Sequence, residues 1–267
     1  MAERIPVQAV QVNGFTMEYC RFGSGEKNLV VLPGLSIQSV LASASAVAQA
    51  YRIFTEDYTV WMFDRRKELT RPYTAAEAAR DTALALRAAG IDRAVLYGVS
   101  YGGMTAMEIA VREPDLVEKL ILASACADVG EDQFRIFENW LRLAEAGDAG
   151  GLYLAFAELL YPRETYEKLR GLLGAMAESV TEEELEKFRI LAEGIRGFSA
   201  TEALGRIRCP VLALGDKQDR VFGASVEETA RRMSGKPGFD SYLYDGYGHA
   251  VYDTAPDFRE RALRWLK

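Results

Sequence analysis

Short, wholly apolar segments recur along the chain and alternate with longer segments of helical periodicity. The apolar segments cover residues 29–32, 60–63, 94–97, 120–123 and 211–214. A strand that is apolar on both faces belongs in a sheet covered on both sides, which is typical of parallel strands. The alternation therefore predicts an α/β fold: a mostly parallel, twisted sheet with helices on both faces.

Turn and capping signals mark the elements around these strands. Residues 10–12 and 15–21 flank Asn13-Gly14, a tight-turn pair, and predict an N-terminal hairpin. Capping-box patterns at Thr74 and Ser225 each predict the start of a helix. Helices are predicted over about residues 39–54, 74–90, 101–113, from 225 onward and 256–266.

The alternation stops between residues 128 and 200. This stretch has no convincing strand and reads as several consecutive amphipathic helices. It is predicted to be an all-helical insert between two strands of the sheet, so the core combines residues 1–127 with residues 201–267.

Composition narrows the class of protein. The chain has 267 residues, enough for one large domain, and 49 % hydrophobic residues, which disfavours disorder. The net charge of −7 and the lack of a basic run beyond short pairs argue against nucleic-acid binding. Neither a secretory leader nor an apolar run of about 18 residues is visible, so a cytoplasmic protein without a membrane span is expected.

Cysteine and histidine usage limits the metal and redox chemistry. Cys20, Cys126 and Cys209 are odd in number and far apart, which predicts buried free thiols in a reducing compartment. A single histidine excludes a multi-histidine metal centre, so no metal site is expected.

The sharpest chemical signal is the segment Gly98-Val99-Ser100-Tyr101-Gly102. It follows an apolar strand and opens an apolar helix, which is the context of a nucleophile elbow. The glycines allow strand and helix to approach closely, and the turn lifts the Ser100 hydroxyl above the sheet edge. Ser100 is therefore the candidate nucleophile.

A serine hydroxyl needs a base to take its proton, and His249 is the only histidine. It follows the last predicted strand, residues 242–244, at the carboxyl edge of the sheet, where open α/β folds bind ligands. The base needs a carboxylate partner in turn. Asp216 and Asp219 both follow the strand at residues 211–214, and spacing alone does not separate them.

These segments resemble the α/β-hydrolase superfamily, in particular its cap-bearing esterases and lactonases, over nearly the whole chain. In that family the triad acid typically comes just before x-Val or x-Ile, which favours Asp219 over Asp216. The resemblance also implies an oxyanion hole made by the backbone N–H groups of Tyr101 and Leu35. Pro33 stands where the family often has histidine, a departure of little consequence because the donor is a backbone group.

The helical insert, residues 128–200, matches the family's cap in position. Cap aromatic residues are expected to shape an apolar substrate pocket over Ser100 together with Gly34. The candidates are Phe137, Trp140, Tyr153 and Phe156.

A second departure follows the strand at residues 60–63. The family commonly carries Asp and then Arg-Gly there, whereas this chain reads Asp64-Arg65-Arg66-Lys67. One cation could pair with Asp64 and another could face an acidic substrate. A solvated basic loop is the expected arrangement.

The resemblance implies a cofactor-free serine hydrolase that cleaves carboxylic esters or lactones of a small, partly apolar substrate through a Ser-His-Asp triad and an acyl-enzyme. Its partner is the small-molecule substrate, and the protein is expected to be a monomer or homodimer. A serine at the elbow argues against haloalkane dehalogenases and epoxide hydrolases. The alternatives are a C–C bond hydrolase or lyase that uses the same triad, an enol-lactonase or perhydrolase, and a non-catalytic small-molecule receptor.

Overall fold

The computed structural model describes residues 4–267, whose strands form one eight-stranded sheet. The strands are β1 (Val7–Val12), β2 (Phe15–Phe22), β3 (Lys27–Leu32), β4 (Tyr58–Arg66), β5 (Ala94–Val99), β6 (Val117–Ala123), β7 (Val211–Asp216) and β8 (Phe239–Tyr244). The α-helices are α1 (Ala44–Ala50), α2 (Ala75–Ala88), α3 (Tyr101–Arg112), α4 (Glu131–Glu145), α5 (Ala149–Leu160), α6 (Arg163–Ala177), α7 (Glu182–Glu193), α8 (Ala224–Met233), α9 (Val251–Thr254) and α10 (Phe258–Leu266).

The sheet order is β1-β2-β4-β3-β5-β6-β7-β8. β1 and β2 form the predicted antiparallel hairpin, and β2 pairs antiparallel with β4. All pairings from β4 through β3 to β8 are parallel. The prediction of a mostly parallel sheet is confirmed, and the carboxyl ends of β5, β7 and β8 therefore meet at one edge.

The central strands are buried on both faces, as their sequences predict. Every residue of β5 is buried, and Leu96 packs in the apolar cluster on one face while Val95 and Tyr97 pack in that on the other. Burying a large apolar side chain contributes about 1.5–3 kcal/mol. The six parallel strands thus form a rigid platform for the loops at their carboxyl ends.

One of the two predicted capping boxes is present. The Thr74 hydroxyl accepts a bond from the Glu77 N–H at 3.4 Å, and the Glu77 carboxylate accepts one from the Thr74 N–H at 2.7 Å. The prediction at Ser225 is wrong, because α8 begins at Ala224 and its N-cap is Gly223, two residues before Ser225. The Ser225 hydroxyl instead accepts a bond from Gln133 of α4.

The helix predicted over residues 39–54 is not continuous. A 3₁₀ turn (Val40–Ser43), α1 and a second 3₁₀ turn (Arg52–Phe54) replace it. Tyr51 leaves the helical conformation at the end of α1, which lets its ring pack edge-on against Tyr97 at a centroid distance of 5.4 Å. Burial of an aromatic ring under the sheet takes precedence over local helix propensity here.

Four helices, α4 to α7, lie between β6 and β7. The two ends of this insert are joined by backbone hydrogen bonds from Val129 to the Phe198 carbonyl (2.9 Å) and from Ala200 to the Ala127 carbonyl (2.7 Å). α4 buries an aromatic stripe, whereas none of the side chains of α6 is buried. The insert therefore has a narrow neck, a packed inner layer and an exposed outer helix.

The three cysteines are buried and unpaired, as the sequence predicts. Burial raises the pKa of the Cys20 and Cys209 thiols to about 11 and that of Cys126 well above its usual value. Among residues 4–267, no helix combines the length and apolar character that crossing a bilayer requires.

The buried thiols should not react in the native protein. At pH 8, below the raised pKa values, almost all of each thiol is protonated, and the thiolate is the reactive form. We expect the native chain to release negligible colour with Ellman's reagent and the chain in guanidinium chloride to release three equivalents. Stoichiometric labelling of the folded protein at pH 8 would show that the structure misplaces at least one cysteine.

Candidate active site

Ser100 sits on a sharp turn between β5 and α3. Its backbone has φ 50° and ψ −119°, a region that residues other than glycine rarely adopt. The Ser100 N–H donates to the Ala123 carbonyl at 2.8 Å, which ties the turn to the end of β6. The hydroxyl is thereby raised at the carboxyl edge of the sheet, at the N-terminus of α3.

Glycines around Ser100 allow backbone to approach backbone. A Cβ on Gly98 would lie 2.6 Å from the Gly102 carbonyl oxygen, and one on Gly102 would overlap the Leu32 carbonyl. A Cβ on Gly34 would lie 3.2 Å from that of Ser100. The elbow glycines are therefore required by packing, and Gly34 brings the loop after β3 directly against Ser100.

His249 joins Ser100 to Asp219. Its Nε2 lies 3.0 Å from the Ser100 Oγ, and its Nδ1 lies 2.7 Å from the Asp219 Oδ2. All three side chains are buried, with residue exposures of 8 % for Ser100, 2 % for His249 and 4 % for Asp219. An ionised carboxylate only accepts hydrogen bonds, so Nδ1 donates to Asp219 and Nε2 is left to accept the serine proton.

The two candidate carboxylates make different contacts. The other oxygen of Asp219 accepts the N–H groups of Val221 (2.8 Å) and Phe222 (2.9 Å). Asp216 accepts those of Gln218 (2.7 Å) and Tyr247 (2.9 Å). Asp219 therefore faces the histidine, whereas Asp216 ties the loop after β7 to the loop after β8.

Two backbone N–H groups near Ser100 lack an acceptor in the described part of the chain. Within residues 4–267, neither the Leu35 N–H nor the Tyr101 N–H has a protein acceptor. Leu35 lines the cavity that contains Ser100 and His249, and Tyr101 is the first residue of α3. The helix dipole adds positive potential at that end.

A cavity of about 20 Å³ adjoins Ser100, enough for about one water molecule. Four of the five predicted substrate residues line it: Gly34, Phe137, Trp140 and Phe156. Tyr153 does not; it lines a neighbouring cavity of about 460 Å³ on the other side of Phe156. The indole Nε1 of Trp140 is buried without a hydrogen-bond partner among the described residues.

Several residues of the small cavity were not found by sequence reasoning. Leu160 and Tyr252 line both cavities, and Ile195 and Val221 line the small one. Tyr252 follows His249 by three residues, and the two rings meet edge-on at a centroid distance of 6.4 Å, so its nearness in sequence could have suggested it. The other three are aliphatic residues with no signal in the sequence.

A solvated basic loop was expected after residues 60–63, but Arg65 and Arg66 continue β4 and their side chains are largely buried. The side chain of Arg65 is only 10 % exposed and contacts the loop after β3. Arg66 is 13 % exposed and pairs with the buried Asp81 at 3.2 Å. Lys67 is half-exposed and pairs with Glu18, as a surface cation would. Each of the three cations therefore interacts with a carbonyl or carboxylate of the protein itself.

Known proteins show which family shares this arrangement. Residues 29–261 match the model of the Alpha/beta hydrolase family. The chain belongs to this family. Membership indicates hydrolase activity.

Individual relatives of this α/β hydrolase are distant in sequence. A protein of Rhizobium rhizogenes named carbamate hydrolase RutD is 26 % identical over 180 residues, which are 66 % of this chain and 68 % of that protein. The crystal structure of MGS-M2, an alpha/beta hydrolase enzyme from a Medee basin deep-sea metagenome library, has a TM-score of 0.85 at 18 % identity and covers 97 % of both chains. The enol-lactonase from Burkholderia xenovorans LB400 has a TM-score of 0.82 at 18 % identity and covers 97 % of this chain and 99 % of that one.

The two carboxylates can be separated by amide substitution. Asp219→Asn removes the acceptor that fixes the histidine tautomer and should lower kcat about a thousandfold to ten-thousandfold. Asp216→Asn retains one acceptor oxygen and loses one loop contact, so it should lower Tm but reduce kcat less than about tenfold. Both variants are compared by steady-state kinetics on an activated ester and by thermal unfolding. A large loss of kcat in folded Asp216→Asn alone would reverse the assignment.

Proposed function

We propose that this α/β hydrolase is a serine hydrolase that cleaves carboxylic esters or lactones of a small, partly apolar substrate. The observation that carries the proposal is the continuous, buried contact from Asp219 through His249 to Ser100 at the carboxyl ends of β7, β8 and β5. This geometry matches a nucleophile, its base and the carboxylate that orients the base.

The proposed reaction has two halves. His249 Nε2 takes the proton of Ser100 as the Oγ attacks the substrate carbonyl, and the resulting oxyanion is held by the N–H groups of Leu35 and Tyr101. His249 then protonates the leaving alcohol as the C–O bond breaks, which gives an acyl-serine. Water, deprotonated by His249, attacks the acyl carbon, and the Ser100 Oγ leaves with the returned proton.

The insert over residues 128–200 acts in this proposal as a cap on the core formed by residues 1–127 and 201–267. Support comes from its side chains at the nucleophile: Phe137 and Trp140 of α4 and Phe156 of α5 line the cavity with Ser100. The cap excludes water, which strengthens electrostatic interactions in the site.

The larger cavity supports a partly apolar substrate. It shares Gly34, Leu35 and Phe156 with the cavity at Ser100, and its walls are largely aliphatic and aromatic. Its two charged lining residues, Arg259 and Asp253, pair with each other at 2.7 Å. A neutral apolar group of the substrate would therefore lie there, while the reacting carbonyl lies beside Ser100.

Relatives named as carbamate hydrolases make a carbamate a second candidate substrate. Cleavage of a carbamate ester uses the same serine attack and the same oxyanion, with a carbamoyl group in place of the acyl group. A substrate panel should therefore pair each ester with the matching carbamate.

The decisive test is steady hydrolysis of p-nitrophenyl esters and carbamates by the wild-type chain, Ser100→Ala and His249→Ala. We expect many turnovers in wild type and a loss of about a hundredfold or more in kcat for each variant. Mass spectrometry should detect an acyl adduct on Ser100.

Other outcomes would favour a different function. A single slow turnover in the wild type would favour a small-molecule receptor. No reaction with any ester, together with cleavage of a β-diketone that requires Ser100, would favour C–C bond chemistry. Equal rates in wild type and Ser100→Ala would refute the proposed nucleophile.

The large cavity should set the size of the substrate. Ala46 of α1 lines it, so Ala46→Trp should lower kcat/KM for p-nitrophenyl octanoate by about tenfold or more while leaving the acetate within about twofold. The matched control is Gln49→Trp, on the same helix at an exposed position outside the lining. Equal effects of the two variants, or an equal loss on both esters, would place the substrate elsewhere.

A further inference from the structure

Arg65 is a buried guanidinium at the end of β4, beside the loop that supplies the proposed Leu35 donor. Its Nη2 donates to the carbonyl oxygens of Pro33 and Gly34, both at 2.7 Å. Its Nη1 lies 3.7 Å from the Asp64 carboxylate. The sequence separation of about 30 residues between donor and acceptors makes this a tertiary contact that joins β4 to the loop after β3.

The Gly34 carbonyl and the Leu35 N–H belong to one peptide unit. Because a trans peptide is planar and its C=O and N–H point in opposite directions, fixing the carbonyl fixes the direction of the N–H. Arg65 donates a hydrogen bond to that carbonyl and so holds it in place. A charged donor also forms a stronger bond than a neutral one and polarises the peptide, which makes its N–H a better donor.

The same guanidinium reaches the other side of the site. Its Cζ lies 5.2 Å from the centroid of the Tyr101 ring, and Tyr101 supplies the second proposed N–H. A cation over an aromatic face is attracted by the ring's electron density. Arg65 thus contacts both segments that are proposed to bind the oxyanion, without touching the substrate cavity itself.

We propose that Arg65 is the positioning residue of the oxyanion hole: by clamping the Pro33 and Gly34 carbonyls it aims the Leu35 N–H at the tetrahedral intermediate. The proposal rests on the proposed serine-hydrolase function. It assigns a role to a cation for which the sequence favours a solvated basic loop.

The neighbouring Arg66 provides a matched control. It lies on the same strand, and its guanidinium is equally buried, over the Phe15 ring and against Asp81. Its guanidinium donates to Asp81 at 3.2 Å, and over residues 4–267 it has no hydrogen bond to the loop after β3. Removing Arg66 therefore costs stability through a buried ion pair but leaves the Gly34–Leu35 peptide in place.

The experiment compares wild type, Arg65→Met, Arg65→Lys and Arg66→Met on a p-nitrophenyl ester. Active sites are counted by fluorophosphonate labelling, kcat and KM are measured per active site, and Tm is recorded. A boronic acid, which forms a tetrahedral adduct on serine, reports oxyanion binding through its Kd by calorimetry. This last measurement does not depend on turnover.

For Arg65→Met we expect kcat to fall about tenfold to a hundredfold, somewhat less than the loss of a whole oxyanion donor. KM should stay within about twofold, because the donor acts on the transition state, and the boronate Kd should rise in step with the loss of kcat. The kcat of Arg65→Lys should lie between those of wild type and Arg65→Met, because the lysine ammonium keeps the positive charge but lacks the planar set of N–H donors of a guanidinium. Arg66→Met should lower Tm with kcat within about threefold.

Three results would overturn the role of Arg65: an unchanged kcat per active site in Arg65→Met, a loss confined to KM, or an equal loss of kcat in Arg66→Met. In each of them, Ser100-dependent turnover by wild type would leave the proposed function intact. An absence of Ser100-dependent turnover in wild type would instead refute the proposed function, and the role of Arg65 would fall with it.

Discussion

Backbone meets backbone around Ser100 at distances that no side chain would allow. The end of β5, the first turn of α3 and the loop after β3 converge there; Gly98 and Gly102 make the convergence sterically feasible, and Gly34 brings the loop close to the Ser100 side chain. The serine itself adopts a strained φ of 50°, a cost of order 1–3 kcal/mol that the surrounding packing must offset. The Ser100 hydroxyl, the N–H of Tyr101 and the loop that carries Leu35 all take their positions from this one approach.

The parallel sheet brings the other side chains of the site to the same place as Ser100. β5, β7 and β8 end at the same edge, so a serine, a carboxylate and a histidine that are separated by up to 149 residues come within hydrogen-bond distance. A second carboxylate, Asp216, holds the two loops together by accepting one backbone N–H from each. The two aspartates therefore make different contacts: Asp219 faces the imidazole of His249, and Asp216 fixes the loop that carries His249.

Much of this could be read from the sequence, because apolar segments bounded by turn residues report strands directly. The elbow was recognisable because the close approach of strand and helix requires glycines at fixed positions on either side of Ser100. Asp216 and Asp219 could not be separated by spacing, because which carboxylate reaches the imidazole depends on the turn between them. Arg65 was misjudged because sequence shows charge but not burial, and its acceptors lie in a distant loop. The prediction of a continuous helix over residues 39–54 was wrong because burial of the Tyr51 ring overrode the local helix propensity.

The last turn of α5 is bound to both loops of the site. Its Leu160 carbonyl accepts the Ala250 N–H at 2.9 Å, next to His249, and the Tyr161 carbonyl accepts the guanidinium of Arg220 at 3.1 Å, next to Asp219. The insert is therefore not an independent module. A chimera that exchanged residues 128–200 for the corresponding part of a relative would need to supply equivalent carbonyls at this turn, or the loops that carry Asp219 and His249 would lose their outer support. Diversification of substrate range in such a protein is least constrained in α6, which has no buried side chain and makes its main packing contacts with α5.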